Sequence, residues 1–241
     1  MTSIVISERR GVRHLHFGSH WVQGAMRIAR PWSLEIEYTR QMMMPLVLRA
    51  ARAWPASVLQ IGLGAASVTR FLYRHRPQAR ITVVEILPEV VAAARQFFKL
   101  PDDPDRLRIE LGDGHDFLAG TKRRFDFIAV DGFDDKGRSG MLDTAPFYLN
   151  CRARLSRTGI VAINLLDHRG DVPASIGRIR DAFEGRIVEL PRCKAGNAVV
   201  LAGTGARIRG SFDALQDSAL ALRSETGLDL LGVVASLKEK A

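Results

Sequence analysis

Two cysteines are all the chain has, Cys151 and Cys193. They are too few and too far apart for a disulfide framework or a CxxC metal site, so a reducing, cytoplasmic setting is expected, with both residues buried as small hydrophobes. Long apolar runs are missing as well. No uninterrupted apolar stretch reaches membrane-spanning length, and the N-terminus, MTSIVISERR, carries its charge after a very short apolar segment. A soluble, unsecreted protein with no membrane partner is expected. There is no G-x-S-x-G elbow, no HExxH and no Walker glycine-lysine loop, which disfavours the chemistries those motifs serve. Clustered basic charge is scarce too, although the net charge is +9. The tightest run, Lys122-Arg123-Arg124, has no interleaved aromatics for base stacking, so a solvated surface is expected there rather than a nucleic-acid partner. His14, His16 and His20 lie close together, but without a nearby cysteine or paired carboxylate. They read as exposed strand histidines, and no metal is implied. Met42 to Met44, beside Pro45, read as packing.

What is present is an alternating pattern. The chain has 241 residues, 46% of them hydrophobic, enough for one full-sized domain with a smaller appendage. From residue 56 onward, short β-rich runs alternate with helix-period segments, the signature of a parallel α/β sheet. Strands are predicted at 57–61, 80–86, 107–111, 125–130 and 159–165. Val68, Phe71 and Leu72, then Val90, Val91, Ala94, Phe97 and Phe98, recur at helical spacing between them. A helix over 174–183 leads to strands at 186–190 and 197–202, close enough to pair as a hairpin at the sheet edge. Before the sheet, runs at 4–7, 12–17 and 21–26 read as a small antiparallel β unit, and 34–53 as a helix interrupted or kinked at Pro45. After Arg209, two short helices broken at Gly227 are expected. The organisation predicted is therefore 1–50 as N-terminal β unit and linking helix, 51–205 as a Rossmann-like seven-stranded mostly parallel sheet, and 206–241 as a helical tail.

In an open α/β sheet, ligands bind beyond the carboxyl ends of the strands where strand order reverses, beside the first strand. There the chain reads Ile61-Gly62-Leu63-Gly64-Ala65-Ala66-Ser67. Gly62 and Gly64 permit positive φ and a close backbone approach, and the helix that follows offers unpaired N–H groups. The third glycine of the dinucleotide fingerprint is replaced by Ser67. Glu85 ends the second strand at the distance expected of an acid that accepts from ribose hydroxyls. Asp113, followed by Gly114, ends the third, where it can accept from an adenine amino group. A helix-entry role for Glu85 and a turn-forming role for Asp113 stay open beside these. Glycine turn and two strand-end acids on successive strands point to an adenosine-bearing ligand.

The stretch from Val58 through Leu165 resembles the spermidine synthase family, the polyamine aminopropyltransferases built on the S-adenosylmethionine methyltransferase fold. The residues that carry the resemblance are Ile-Gly-Leu-Gly, Val-Val-Glu-Ile, Gly-Asp-Gly-His-Asp-Phe-Leu, Phe-Asp-Phe-Ile-Ala-Val-Asp-Gly-Phe-Asp-Asp and Leu-Asp-Thr-Ala-Pro-Phe-Tyr, with Gln23 and Tyr38 upstream. The resemblance implies aminopropyl transfer from decarboxylated S-adenosylmethionine to an amine such as putrescine or another polyamine, with release of methylthioadenosine, no metal, and a homodimer. It implies that Asp131 is the catalytic carboxylate, with Asp134, Tyr38 and Gln23 at the acceptor. Such a transfer needs a carboxylate, because an amine that is cationic at neutral pH must be held and deprotonated before it attacks. A polar-loop role for the Asp131 segment remains beside this reading.

Two places depart from the family pattern. Ala65 stands where the glycine turn carries an acid that reaches the donor's aminopropyl group, and Tyr38-Thr39-Arg40 stands for Tyr-His-Glu. Both changes remove groups that favour a doubly cationic donor or a polycationic acceptor. Methyl transfer from intact S-adenosylmethionine, and a non-catalytic nucleoside-binding homologue, therefore stay open.

Overall fold

The computed structural model describes residues 4–18, 22–134, 137–166, 171–205, 208 and 210–238. Strands β1 (Ile4–Arg9), β2 (Val12–Phe17) and β3 (Val22–Arg27) form an antiparallel sheet in that order. Of the third predicted strand, Trp21 lies outside the described residues, as does His20.

The segment predicted as one helix over 34–53 is two short ones, α1 (Glu37–Gln41) and α2 (Pro45–Leu48). Proline explains the break. Its ring fixes φ and lacks an N–H, so it opens α2 at the first position and does not continue α1. A turn over residues 42–44 joins them through the Met43 N–H to Arg40 O and Met44 N–H to Gln41 O bonds. Met42, Met43 and Met44 are fully buried, each contributing about 1.5–3 kcal/mol of apolar transfer.

The main sheet has seven strands: β4 (Ser57–Ile61), β5 (Arg80–Glu85), β6 (Leu107–Leu111), β7 (Phe125–Val130), β8 (Leu155–Leu166), β9 (Ile187–Glu189) and β10 (Asn197–Gly203). Their order is β6-β5-β4-β7-β8-β10-β9, parallel except for β10, which runs antiparallel to both its neighbours. β9 and β10 form the predicted edge hairpin, and β10, buried along its whole length, lies inside it.

Alternation along the strands feeds two cores, as expected of a sheet covered on both faces. Val58, Val83 and Phe127 face α3 (Ser67–His75), α4 (Pro88–Phe97), α8 (Phe212–Thr226) and α9 (Leu231–Lys238). Leu59, Ile61 and Ile128 face α5 (Gly114–Gly120), α6 (Ala145–Arg154) and α7 (Val172–Ala182). Cys151 is buried in the second core, and Cys193, also free and buried, lies in the β9–β10 turn. Gly227, at φ 75°, closes α8. No helix among the described residues is long and apolar enough to cross a membrane. The chain leaves β4 toward β5 and β6, then returns to β4's other side as β7. That reversal opens a crevice beyond the carboxyl ends of β4 and β7.

Candidate active site

The turn after β4 occupies that crevice. Gly62 has φ +86°, and a Cβ there would overlap the backbone carbonyl of Asp131, so the two strand ends can meet only at glycine. Backbone bonds fix the junction: Gly62 N–H to Val84 O and Asp131 N–H to Ile61 O, both 2.9 Å. Beneath the turn, buried Gln60 donates from Nε2 to Gly62 O and accepts from Thr69 Oγ1, each at 2.7 Å. Arg70, fully buried, donates to the carbonyls of Pro31 (2.8 Å), Phe98 (2.7 Å) and Ala65. Burial lowers its pKa to about 9. Three carbonyls replace a counter-ion there and staple the turn to the end of α4 and to the chain leaving β3.

The two strand-end acids have structural duties as well. Glu85, 7% exposed, accepts from the N–H groups of Leu63 (2.8 Å) and Leu87 (2.9 Å), so it holds the glycine turn from below while ending β5. Asp113 is the N-cap of α5, accepting from His115 N–H at 2.7 Å. Gly114 is required for closeness, since a Cβ there would run into the Ile61 side chain. Glu85 thus sits at the entry to α4, and Asp113 caps α5 instead of forming a turn, both at the crevice rim.

The polar cluster on the other side of the crevice is assembled from further apart. Asp131 closes β7, and its carboxylate accepts from Tyr38 Oη at 3.0 Å and from Asn164 Nδ2 at 2.8 Å. Asn164 Oδ1 in turn accepts from Asn197 Nδ2 at 3.0 Å. Burial raises the Asp131 pKa above the ordinary carboxylate range, opposed by the two donors. Burial first, and then the Asp131 charge and hydrogen bond, push the Tyr38 hydroxyl well above its ordinary value, so it remains a donor.

The small N-terminal sheet supplies the roof. Gly24 pairs with Leu15 and Val22 with His16, which leaves Gln23 as the extra residue of a β-bulge in β3. A bulge re-aims its side chain, and Gln23 lines a cavity with Tyr38, Thr39, Gly64, Ala65 and Asp131. Gly24 lies so close to Ala65 that a Cβ at 24 would collide with it, and Ala65 is buried with Leu15, Met26, Ala93 and Phe98. Ser67, at the third-glycine position, donates to Ala25 O at 3.0 Å and ties the start of α3 to β3. Thr39 is buried with its hydroxyl on Ile36 O (2.7 Å), whereas Arg40 is exposed.

The structure therefore brings Gln23, Tyr38, Gly64 and Asp131 to one cavity, and sets Gly62, Glu85, Asp113 and Gly114 around the neighbouring strand ends. Asp134 is not among the residues lining that cavity. Its carboxylate binds Arg138, through the backbone N–H (2.8 Å) and Nε (2.6 Å), in the loop after β7. Asn164, Asn197, Gln60, Thr69 and Arg70 were missed by sequence reasoning. For Asn164 and Gln60 a signal existed: each is a lone amide inside an apolar run of its strand, and a buried amide needs named partners.

Residues 37–165 match the family model described as the spermine/spermidine synthase domain. A polyamine aminopropyltransferase of Neisseria meningitidis serogroup A is 36% identical over 233 residues, covering 97% of this chain and 88% of the relative. Among solved structures, the spermidine synthase from Thermotoga maritima has a TM-score of 0.70 at 20% identity, over 97% of this chain and 83% of that one. A spermidine synthase in complex with the transition-state analogue AdoDATO has a TM-score of 0.68 at 20% identity, over 97% and 82%. At that identity the likeness speaks for the fold.

Proposed function

Because the chain belongs to the spermine/spermidine synthase family, we propose that it moves an aminopropyl group from decarboxylated S-adenosylmethionine to an amine acceptor, putrescine or another polyamine. The observation that carries this reading is Asp131: a partly buried carboxylate with two oriented donors, opening on the cavity roofed by Gln23. Similarity to a named aminopropyltransferase over nearly the whole chain favours this transfer over methylation.

In this reading the nucleoside lies over the glycine turn. Gly62, Gly64 and Gly114 let backbone approach it, Glu85 accepts from the ribose hydroxyls with its spare lone pairs, and Asp113 accepts from the adenine amino group. Asp131 draws in the acceptor ammonium and takes one proton from it. The freed nitrogen lone pair attacks the methylene carbon next to the sulfonium, and the carbon–sulfur bond breaks with its electron pair going to sulfur. Methylthioadenosine leaves neutral, the product keeps its charge as a secondary ammonium, and Asp131 passes its proton to solvent. Tyr38 and Asn164 hold the carboxylate in place throughout, Gln23 contacts the amine, and Asp134 assists by exchanging Arg138 for it. Ala65 is compatible with a cationic donor because Asp131 lines the same cavity and supplies the negative charge. No metal takes part. A homodimer in the cytoplasm belongs to the same reading.

The test is turnover. Purified protein given decarboxylated S-adenosylmethionine and putrescine, or a panel of longer amines, should release methylthioadenosine and yield an amine one aminopropyl unit heavier by mass. Methylated product from intact S-adenosylmethionine, with none from the decarboxylated donor, would overturn the proposal.

A further inference from the structure

We infer that Asn197 is a positioning residue for Asp131, acting through Asn164 by fixing which end of that amide faces the carboxylate. The inference rests on the reading of Asp131 as the base. An ionised carboxylate can only accept hydrogen bonds, so the Asn164 side chain must present its NH2 group to it. The Asn164 carbonyl then points away from Asp131, in a position only 4% exposed, where an unpaired acceptor is costly. Asn197 Nδ2 supplies the missing donor at 3.0 Å. The two ends of an amide are alike in shape, so packing does not choose between them and hydrogen bonding does. Asn197 therefore pairs the far end of the Asn164 amide, so that this amide can keep its NH2 group on Asp131 without burying an unpaired carbonyl.

The strand register makes this arrangement rigid. Asn164 pairs with Val199 across β8 and β10, and Asn197, two residues before Val199, is its diagonal neighbour on the same face. The turn that precedes Asn197 also holds the other donor. Cys193 N–H bonds Asn197 O at 2.9 Å. Gln41 Nε2 donates to Pro191 O, and the Lys194 N–H to Glu37 Oε2, each at 3.0 Å, at the two ends of the helix that carries Tyr38. One turn of the β9–β10 hairpin thus supports both hydrogen bonds to the base.

Among the described residues, the titratable group facing Asp131 is Tyr38, and the Cys193 thiol lies beyond it, pushed up to about 11 chiefly by burial and so neutral. In Asn197→Asp the new carboxylate cannot donate to Asn164. The amide turns over, gives its NH2 group to residue 197 and shows its carbonyl to Asp131. Losing a donor, gaining a lone pair and gaining a like charge nearby should together raise the Asp131 pKa by about one unit or more. Asn197→Ala, which adds no charge, should show the share that belongs to the amide. Asn197→Gln keeps an NH2 group within reach and should restore much of the original value.

The experiment is a carboxyl carbon-13 titration of aspartate-labelled protein, with the Asp131 signal assigned by its absence in Asp131→Asn. The expected result is a higher Asp131 midpoint in Asn197→Asp, partial return in Asn197→Gln, and a kcat at neutral pH lowered roughly tenfold with the acid limb moved to higher pH. An Asp131 midpoint unchanged in Asn197→Asp overturns the inference, whatever happens to activity. If Asn197→Asp does not fold, Asn197→Ala replaces it, and an unmoved midpoint there is equally decisive. Failure of the functional reading would show differently, as a wild-type protein that makes no aminopropylated product while its Asp131 still titrates as described.

Discussion

The two halves of the site are built by opposite means. The half proposed for the nucleoside uses the ends of β4, β5 and β6 with backbone groups at its centre, and its acids act as braces: Glu85 for the glycine turn, Asp113 for α5. The half proposed for the chemistry is one carboxylate held by side chains from α1, β8 and β10, the two strands lying far from α1 in the chain and joined to it only by tertiary packing. On the proposed reading, binding is tied to local backbone geometry, and chemistry to long-range packing. The halves meet where Gly62 packs against the Asp131 carbonyl.

Substitutions that respect this division should damage one half and spare the other. Asp131→Asn should lower turnover by roughly 10²–10⁴ while methylthioadenosine affinity stays within a few-fold, because the lost group is the proton acceptor. Gly62→Ala is the exception that should break the separation. A Cβ there meets backbone at a positive φ, so stability should fall by about 1–3 kcal/mol, with binding and turnover lost together. Retained binding with lost turnover in that variant would mean that the halves are not joined at Gly62. Glu85→Ala should weaken methylthioadenosine binding by roughly tenfold or more, and leaving two N–H groups unpaired should cost about 1–3 kcal/mol by denaturant melt. The smallest effect belongs to Tyr38→Phe. Burial raises the Asp131 pKa and the Tyr38 donor lowers it, so removing the hydroxyl raises it further. The ionised base then survives only to a higher pH on acidification, and the acid limb of kcat should move up by a few tenths of a unit to about one unit.

The same division explains what the sequence made legible. The glycine turn, Glu85 and Asp113 were readable because each sits at the end of a strand whose hydrophobic pattern marks its boundary. Asp131 was readable for that reason too. Its supports were not. Asn164 lies within the apolar run of β8, where its one polar letter hints at a buried role without naming a partner, and Asn197 in Gly-Asn reads as part of a turn. Their pairing depends on β10 inserting antiparallel between β8 and β9, a register that no local signal encodes. Asp134 shows the reverse case. It reads as a second acceptor carboxylate, and no local signal shows that Arg138, four residues on, folds back onto it, a contact that the amine would have to displace. The interrupted helix around Pro45 was half legible, since proline announces a break but not that Met42 to Met44 will turn inward as core.

On the proposed reading Asp131, the carboxylate of the Gln23 cavity among the described residues, sets donor choice as well as catalysis. Calorimetric titration of wild type and Asp131→Asn with decarboxylated and intact S-adenosylmethionine, side by side, tests it most directly. The account predicts that wild type binds the decarboxylated donor more tightly, because the carboxylate of the intact one would face Asp131, and that Asp131→Asn narrows the difference. Equal or tighter binding of intact S-adenosylmethionine by wild type would contradict it.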